Sequence, residues 1–153
     1  MKDLIITLAQ DEDAFDLADR LRSTDLDELE ASSGEEPLEI LREAIDISTH
    51  CWAARRAGHT QVLFGVAPLV DGMGSAWLLA SNDLYSWPKE FIRFCHIYLA
   101  EMHESYPVLT NFVDDRNAIS QAWLKRLGFK PGMRIPDFGV GKLPFTQFTS
   151  VRL

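Results

Sequence analysis

Only two cysteines, Cys51 and Cys95, occur in 153 residues. They show no CxxC or Cys/His ligand spacing, which excludes a disulfide framework and reads instead as buried, reduced thiols. Long apolar runs are also missing: nothing approaches the roughly 20 residues of a membrane-spanning helix. The opening segment MKDLIITLAQDEDAF has too short an apolar run and too many acids for a signal peptide. Of the four histidines, His96 and His103 lie seven residues apart, and His50 and His59 complete no ligand set, so no metal is expected. Neither a Gly-x-Ser-x-Gly elbow nor a Walker loop occurs, so serine-hydrolase and nucleotide-driven chemistry lack their signatures. No linker, repeat or low-complexity tract divides the chain, and one domain over residues 1–153 is expected.

Net positive charge is absent as well. The formal charge is −8 and the pI about 4.9, which disfavours nucleic-acid phosphates and anionic membranes as partners. Through Ile47 fifteen acids stand against four bases, or −11, whereas the remainder has eight acids and eleven bases, or +3. The acidic first third is either a solvated helical face or a docking surface for a basic partner. What is present in ordinary amount is apolar residue, 46% against 25% charged. A chain of this size buries roughly two thirds of its surface on folding.

The apolar spacing predicts the elements. Leu4 to Leu8 is a short strand, and Asp11-Glu12-Asp13 starts a helix carrying Ala14, Leu17, Ala18 and Leu21. Thr24 or Asp25 caps a second helix with Leu26 and Leu29, stopped by Ser32-Ser33-Gly34; Pro37 opens a third with Leu38, Leu41 and Ile45 inward. The period then changes to two. Cys51–Arg55, Gln61–Ala67 and Ser75–Ala80 form an antiparallel meander with turns at Ala57-Gly58-His59 and Val70–Gly74. Pro88 begins a long helix with Phe91, Cys95, Tyr98, Leu99 and Met102 on one face, ended by Pro107. Leu109–Val113 is a strand, Asn117 caps a helix bearing Ile119, Trp123 and Leu127, and Gly128 stops it. The Gly- and Pro-rich tail reads as loop until a last strand at Phe145–Val151.

This order is α+β. Together with Asn117-Ala118-Ile119-Ser120 and Trp123-Leu124-Lys125-Arg126-Leu127-Gly128-Phe129, it resembles the Gcn5-related N-acetyltransferase (GNAT) superfamily. The implied fold is a mixed central sheet with an antiparallel meander, flanked by helices. Five stretches are similar to a group of bacteriophage GNAT-like proteins that includes the small internal virion protein of short-tailed phages. They are Phe64–Pro68, Ser75–Leu79, Tyr106–Asp114, Arg116-Asn117 and Trp123–Phe129. The resemblance implies a phage virion or host-cytoplasm setting and contacts with other phage virion or host proteins.

The resemblance also implies where acetyl-CoA would sit: between the strands ending near Ala80 and Val113. Leu79, Ala80 and Ser81 would supply backbone contacts, Lys89 and Arg93 would meet phosphates, and Asn117 would touch the pantetheine or cap its helix. Members that use the cofactor cradle its pyrophosphate in a glycine-rich loop at the start of the long helix. Here Ser81–Lys89 contains no glycine, Pro88 lacks an N–H, Asp83 repels phosphate and Trp87 crowds the approach. Leu124 occupies the position of the usual tyrosine proton donor, with Tyr85, Tyr98 and Tyr106 as substitutes; Tyr98 lies on the apolar stripe and reads as core. Asp114, Asp115, Glu101 and Glu104 are available as bases, although each reads as a solvated carboxylate. The expectation is therefore a non-catalytic or vestigial GNAT-fold protein acting through protein–protein contacts, with no cofactor or an altered hold on coenzyme A. The alternative is an active acetyl-CoA-dependent N-acetyltransferase that modifies a host or phage protein.

Trp52, Trp77 and Trp123 are expected in the core or lining the cleft between the fourth and fifth strands, and Trp87 as an exposed interface anchor. Lys125, Arg126, Lys130 and Arg134 form a basic stripe, either solvated or facing the acidic third of a neighbour.

Overall fold

The computed structural model describes residues 4–152. Seven strands form one sheet in the order β1-β2-β3-β4-β5-β7-β6, antiparallel throughout except between β4 and β5. The strands are β1 (Ile5–Leu8), β2 (His50–Arg56), β3 (His59–Val70), β4 (Met73–Ala80), β5 (Val108–Asp114), β6 (Lys130–Phe138) and β7 (Leu143–Val151). Five helices flank it: α1 (Asp11–Ala18), α2 (Ser23–Ser32), α3 (Pro37–Ile47), α4 (Pro88–Ser105) and α5 (Ala118–Arg126). A 3-10 turn, Asn82–Ser86, joins β4 to α4. None of these helices is long and apolar enough to cross a membrane.

Strand alternation distributes the core over both faces of the sheet. Trp52, Val62, Phe64, Val66 and Ala76 pack against Phe91, Phe94, Cys95 and Met102 of α4, with Trp123 and Leu127 beside them. The intervening Ala53, Leu63 and Leu79 pack against Ala14 and Leu17 of α1 and Leu41 of α3. Both cysteines are free, and burial pushes the Cys51 thiol up to about 12.

Most local signals act as read. Pro37 and Pro88 stand at the first turns of α3 and α4, and the Asn117 side chain accepts the Ser120 N–H at the start of α5. The β2–β3 hairpin turns through Ala57 and Gly58, both at positive φ (54° and 78°), the conformation that matches the strand twist. At α2 the cap differs from expectation. Arg22 is the N-cap and Asp25 lies inside the helix, because its carboxylate is engaged elsewhere in the fold.

The tail also departs from its loop reading. Residues 130–138 form the edge strand β6, with register shifts between Pro131 and Arg134 and between Ile135 and Phe138. Prolines at 131 and 136 and an almost wholly exposed pattern hide the alternation; an edge strand tolerates both, since its outer side needs no partner. The β6–β7 turn then reaches the end of α2: Val140 N–H donates to Ser32 O (3.1 Å) and Gly141 N–H to Ala31 O (2.8 Å). Gly139 permits this approach. Its φ is +66°, and a Cβ there would lie 2.5 Å from Ser32 O.

Gly139→Ala is therefore expected to destabilise the protein by at least about 1 kcal/mol in urea unfolding. An unchanged midpoint and slope would show that this turn does not anchor α2.

Candidate functional site

The sheet opens in its middle. β4 and β5 pair only at Met73↔Val108, Gly74↔Leu109 and Ser75↔Thr110, and then diverge. By the alternation of the flanking antiparallel ladders, Ala76, Leu78 and Ala80 turn their N–H and C=O groups toward the gap from β4, and Phe112 and Asp114 do so from β5. Buried backbone groups of this kind need partners. The Asn111 side chain supplies one at the near end, donating to Ala76 O at 2.6 Å.

At the far end the partners come from α2. Arg22 N–H donates to Ala80 O (2.8 Å), and Ala80 N–H donates to the Asp25 carboxylate (2.9 Å). Arg22 grips the same carboxylate with Nε and Nη2, at 2.9 and 2.7 Å, and both side chains are about 2% exposed or less. Burial pushes the Asp25 carboxyl up, against the opposing pull of Arg22 and the Ala80 N–H. One turn later Glu28 Oε1 accepts the Asp114 N–H (3.0 Å) and the Asn117 Nδ2–H (3.1 Å). The helix thus ties the end of β4 to the end of β5.

Between these ties the strands carrying Leu78 and Phe112 border a cavity of about 360 Å³. It is lined from both layers of the fold, by Leu29 and Ile40 on one side and Phe91, Tyr98 and Trp123 on the other. The Arg22 guanidinium lies over the rings of Tyr85 and Trp123, 5.8 and 5.5 Å from their centroids. Burial pushes the Glu28 carboxyl up to about 7 from its ordinary 4.5, despite the donors on it. Asp114 behaves oppositely. Although burial alone would raise it, the Arg116 guanidinium and backbone N–H hold its carboxyl below the usual range.

The positions singled out from the sequence scatter around this gap. Ala80 has both backbone groups taken by α2, Ser81 N–H donates to Gln61 O (2.8 Å), and the Leu79 backbone turns toward β3. Asn117 caps α5 and holds Glu28. Lys89 and Arg93 are exposed on α4, outside the cavity lining. Asp114 is not a solvated carboxylate: it is 1% exposed and held by Arg116. The acidic first third likewise splits. Asp13 and Asp25 are buried, Asp13 accepting from Arg55 and Thr60, whereas Asp11, Glu12, Asp19 and Glu39 are exposed. Arg134 of the basic stripe pairs with Asp115. Among the described residues no cluster of three or more His, Cys, Asp or Glu could hold a metal ion.

Trp87 reverses its reading as an exposed anchor. It is 1% exposed, and its indole N–H donates to Asp83 Oδ2 at 3.0 Å. Asp83 is itself clamped by Arg56, which holds its carboxyl below the usual range. The 3-10 turn folds Leu84 and Trp87 inward over the start of α4, and Asp83 gives the buried indole its acceptor. Arg22 and Glu28 carry no signal at sequence level, because their partners on β4 and β5 lie more than fifty residues away.

Glu28 makes stability pH-dependent with a definite sign. The folded state holds its proton more tightly than the unfolded chain does. Its contribution is therefore full below about pH 4.5 and is lost as pH rises through about 7. Glu28→Gln keeps an acceptor for both donors. Relative to this variant, the wild type is expected to lose up to about 3 kcal/mol between pH 4.5 and 8 in denaturant titrations. Parallel pH profiles for the two proteins would refute the assignment.

No family model matches the sequence, and no curated protein matches it. Solved structures do match in shape. An N-acetyltransferase from Staphylococcus aureus Mu50 superposes with a TM-score of 0.74 at 10% identity, over 98% of this chain and 99% of that one. A protein from Salmonella typhimurium, proposed to be an acetyltransferase and solved with its cofactor acetyl-CoA, gives 0.70 at 13% identity, over 98% and 94%. An acetyltransferase of the GNAT family from Bacillus anthracis gives 0.71 at 7%, over 98% and 95%. The chain has the GNAT acetyltransferase fold, a mixed seven-stranded sheet flanked by five helices.

Proposed function

We propose that this protein is a non-catalytic or vestigial member of its fold, a virion-associated or assembly component of a bacteriophage acting through protein–protein contacts. The observation that carries the loss of chemistry is the tie made by α2. Arg22 and Asp25 occupy the Ala80 backbone groups, and Glu28 occupies the Asp114 N–H, across the gap where acetyl-CoA would separate the strands. The start of α4 adds to it. Pro88 contributes no N–H, residues 81–89 contain no glycine, and the Glu90 carboxylate lies on its own backbone N–H, which holds it below the usual range. A helix start that already carries an acid is a poor phosphate cradle. In this arrangement the residues do not fit the cofactor. The phage setting rests on the five stretches similar to phage GNAT-like proteins.

One observation favours the second reading, an acetyl-CoA-dependent N-acetyltransferase. The Leu78 and Phe112 backbone groups still face the gap, and Glu28 beside it has the near-neutral carboxyl that suits a general base. Under that reading α2 would have to leave Ala80 before Leu79, Ala80 and Ser81 could meet a ligand, with Lys89 and Arg93 toward its phosphates and Asn117 nearby.

Calorimetric titration with acetyl-CoA separates the two. No heat of binding up to millimolar cofactor is expected, together with detection of the chain by mass spectrometry in purified virions of the source phage. Micromolar binding followed by acetyl transfer to an amine would overturn the non-catalytic reading, and absence from particles would overturn the virion role.

A further inference from the structure

We propose that Ser150 is a nucleophile activated by His103, a site at which small carboxylic esters acylate the protein. This chemistry is separate from acetyl transfer and does not depend on its loss, because the pair lies on a different face of α4 from the β4–β5 cavity.

The first observation is a chain of hydrogen bonds. His103 Nε2 is 3.0 Å from Ser150 Oγ, and His103 Nδ1 is 2.9 Å from Tyr106 O. A carbonyl oxygen only accepts, so Nδ1 carries the ring proton. The neutral imidazole then turns the lone pair of Nε2 to the hydroxyl, and Ser150 donates to it. A nucleophile, a base within reach and a third group that fixes the base are the parts that activate a serine. Here the third group is a backbone carbonyl.

The second observation is where that carbonyl stands. Tyr106 is the C-cap of the 18-residue helix α4, and His103 lies in its last turn. The C-terminal end of a helix carries partial negative charge and stabilises an imidazolium. It thereby does for His103 what a buried carboxylate does in a catalytic triad. Ser150 is held in the β5–β7 ladder opposite Leu109, and the Arg152 N–H donates to Pro107 O at 2.7 Å, so the strand that carries the hydroxyl is pinned just past the end of α4.

The third observation is access. His103 and Ser150 are half-buried and line a groove of about 760 Å³ between α4, the α5–β6 turn and the end of β7. Leu99, Leu127 and Val151 give it an apolar wall for an acyl chain. Arg152, two residues after Ser150, donates from Nη1 to His103 O at 2.6 Å, which places its positive charge beside the pair. A cation there favours the oxyanion that forms when a hydroxyl adds to a carbonyl.

The step balances within the site. Ser150 Oγ adds to the ester carbonyl carbon while its proton passes to His103 Nε2. Collapse of the tetrahedral adduct breaks the C–O bond to the leaving alcohol, which takes that proton from Nε2. Ser150 ends as the acyl ester and His103 as neutral as it began.

On the wild-type chain a fluorophosphonate is expected to form one adduct, located at Ser150 by peptide mass spectrometry. Ser105 is the internal control: it sits 2.8 Å from His50 Nε2, but this second pair lines neither the groove nor the β4–β5 cavity. Nitrophenolate release from 4-nitrophenyl butyrate is expected to fall roughly tenfold or more in Ser150→Ala and in His103→Gln, whose amide still donates a hydrogen bond but takes no proton. Absence of an adduct, an adduct at Ser105 in place of Ser150, or release unchanged in the variants would overturn the proposal. If a variant does not fold, the wild-type adduct map decides alone. Neither probe contains coenzyme A, so their outcome is separate from that of the acetyl-CoA titration.

Discussion

Two neighbouring strands that part in the middle of a sheet leave peptide groups facing each other without partners, and the rest of this molecule is organised around that constraint. β4 and β5 stay together for three residue pairs and then separate. The Asn111 amide bridges the start of the opening, and α2 bridges its end through Arg22, Asp25 and Glu28. What lies between is an apolar cavity crossed by few polar groups. The position of α2 follows from hydrogen bonding more than from hydrophobic burial. Asp25 and Ala31 are its buried residues, and its far end is held by the backbone of the β6–β7 turn.

This arrangement explains why the acidic first third is not simply a solvated surface. Four of its carboxylates are structural. Asp13 and Asp16 fasten α1 to β2 and β3 through Arg55 and Thr60, while Asp25 and Glu28 fasten α2 to β4 and β5. A buried carboxylate is tolerated only when donors surround it, and removal of one donor strands the charge. The remaining acids among the described residues stay at the surface, where they shape the field around the protein and cost little.

The GNAT architecture is complete in its sheet order and flanking helices, but fold alone does not confer chemistry. In this chain α2 uses the free groups of the open strands internally, and α4 starts on Pro88, which brings no N–H, with Glu90 in its first turn and Trp87 buried before it. The ends of the open strands thus form a structural joint with an apolar cavity beside it.

Local chemistry decided much of the architecture from sequence alone. Pro37, Pro88 and Asn117 mark helix starts, Ala57-Gly58 marks the hairpin, and period-two runs mark the meander, because each signal acts within a few residues. The absence of glycine from 81–89 was visible for the same reason. Edge strand β6 was not, since prolines and exposure erase the alternation that burial imposes on inner strands. Trp87 was misread because its acceptor, Asp83, is available only once Arg56 arrives from another strand. The tie across β4 and β5 belongs wholly to the tertiary structure. Arg22, Asp25 and Glu28 look like ordinary residues of a charged helix until folding brings the unpaired ends of two distant strands to them, and only then does burial give them their partners and their role.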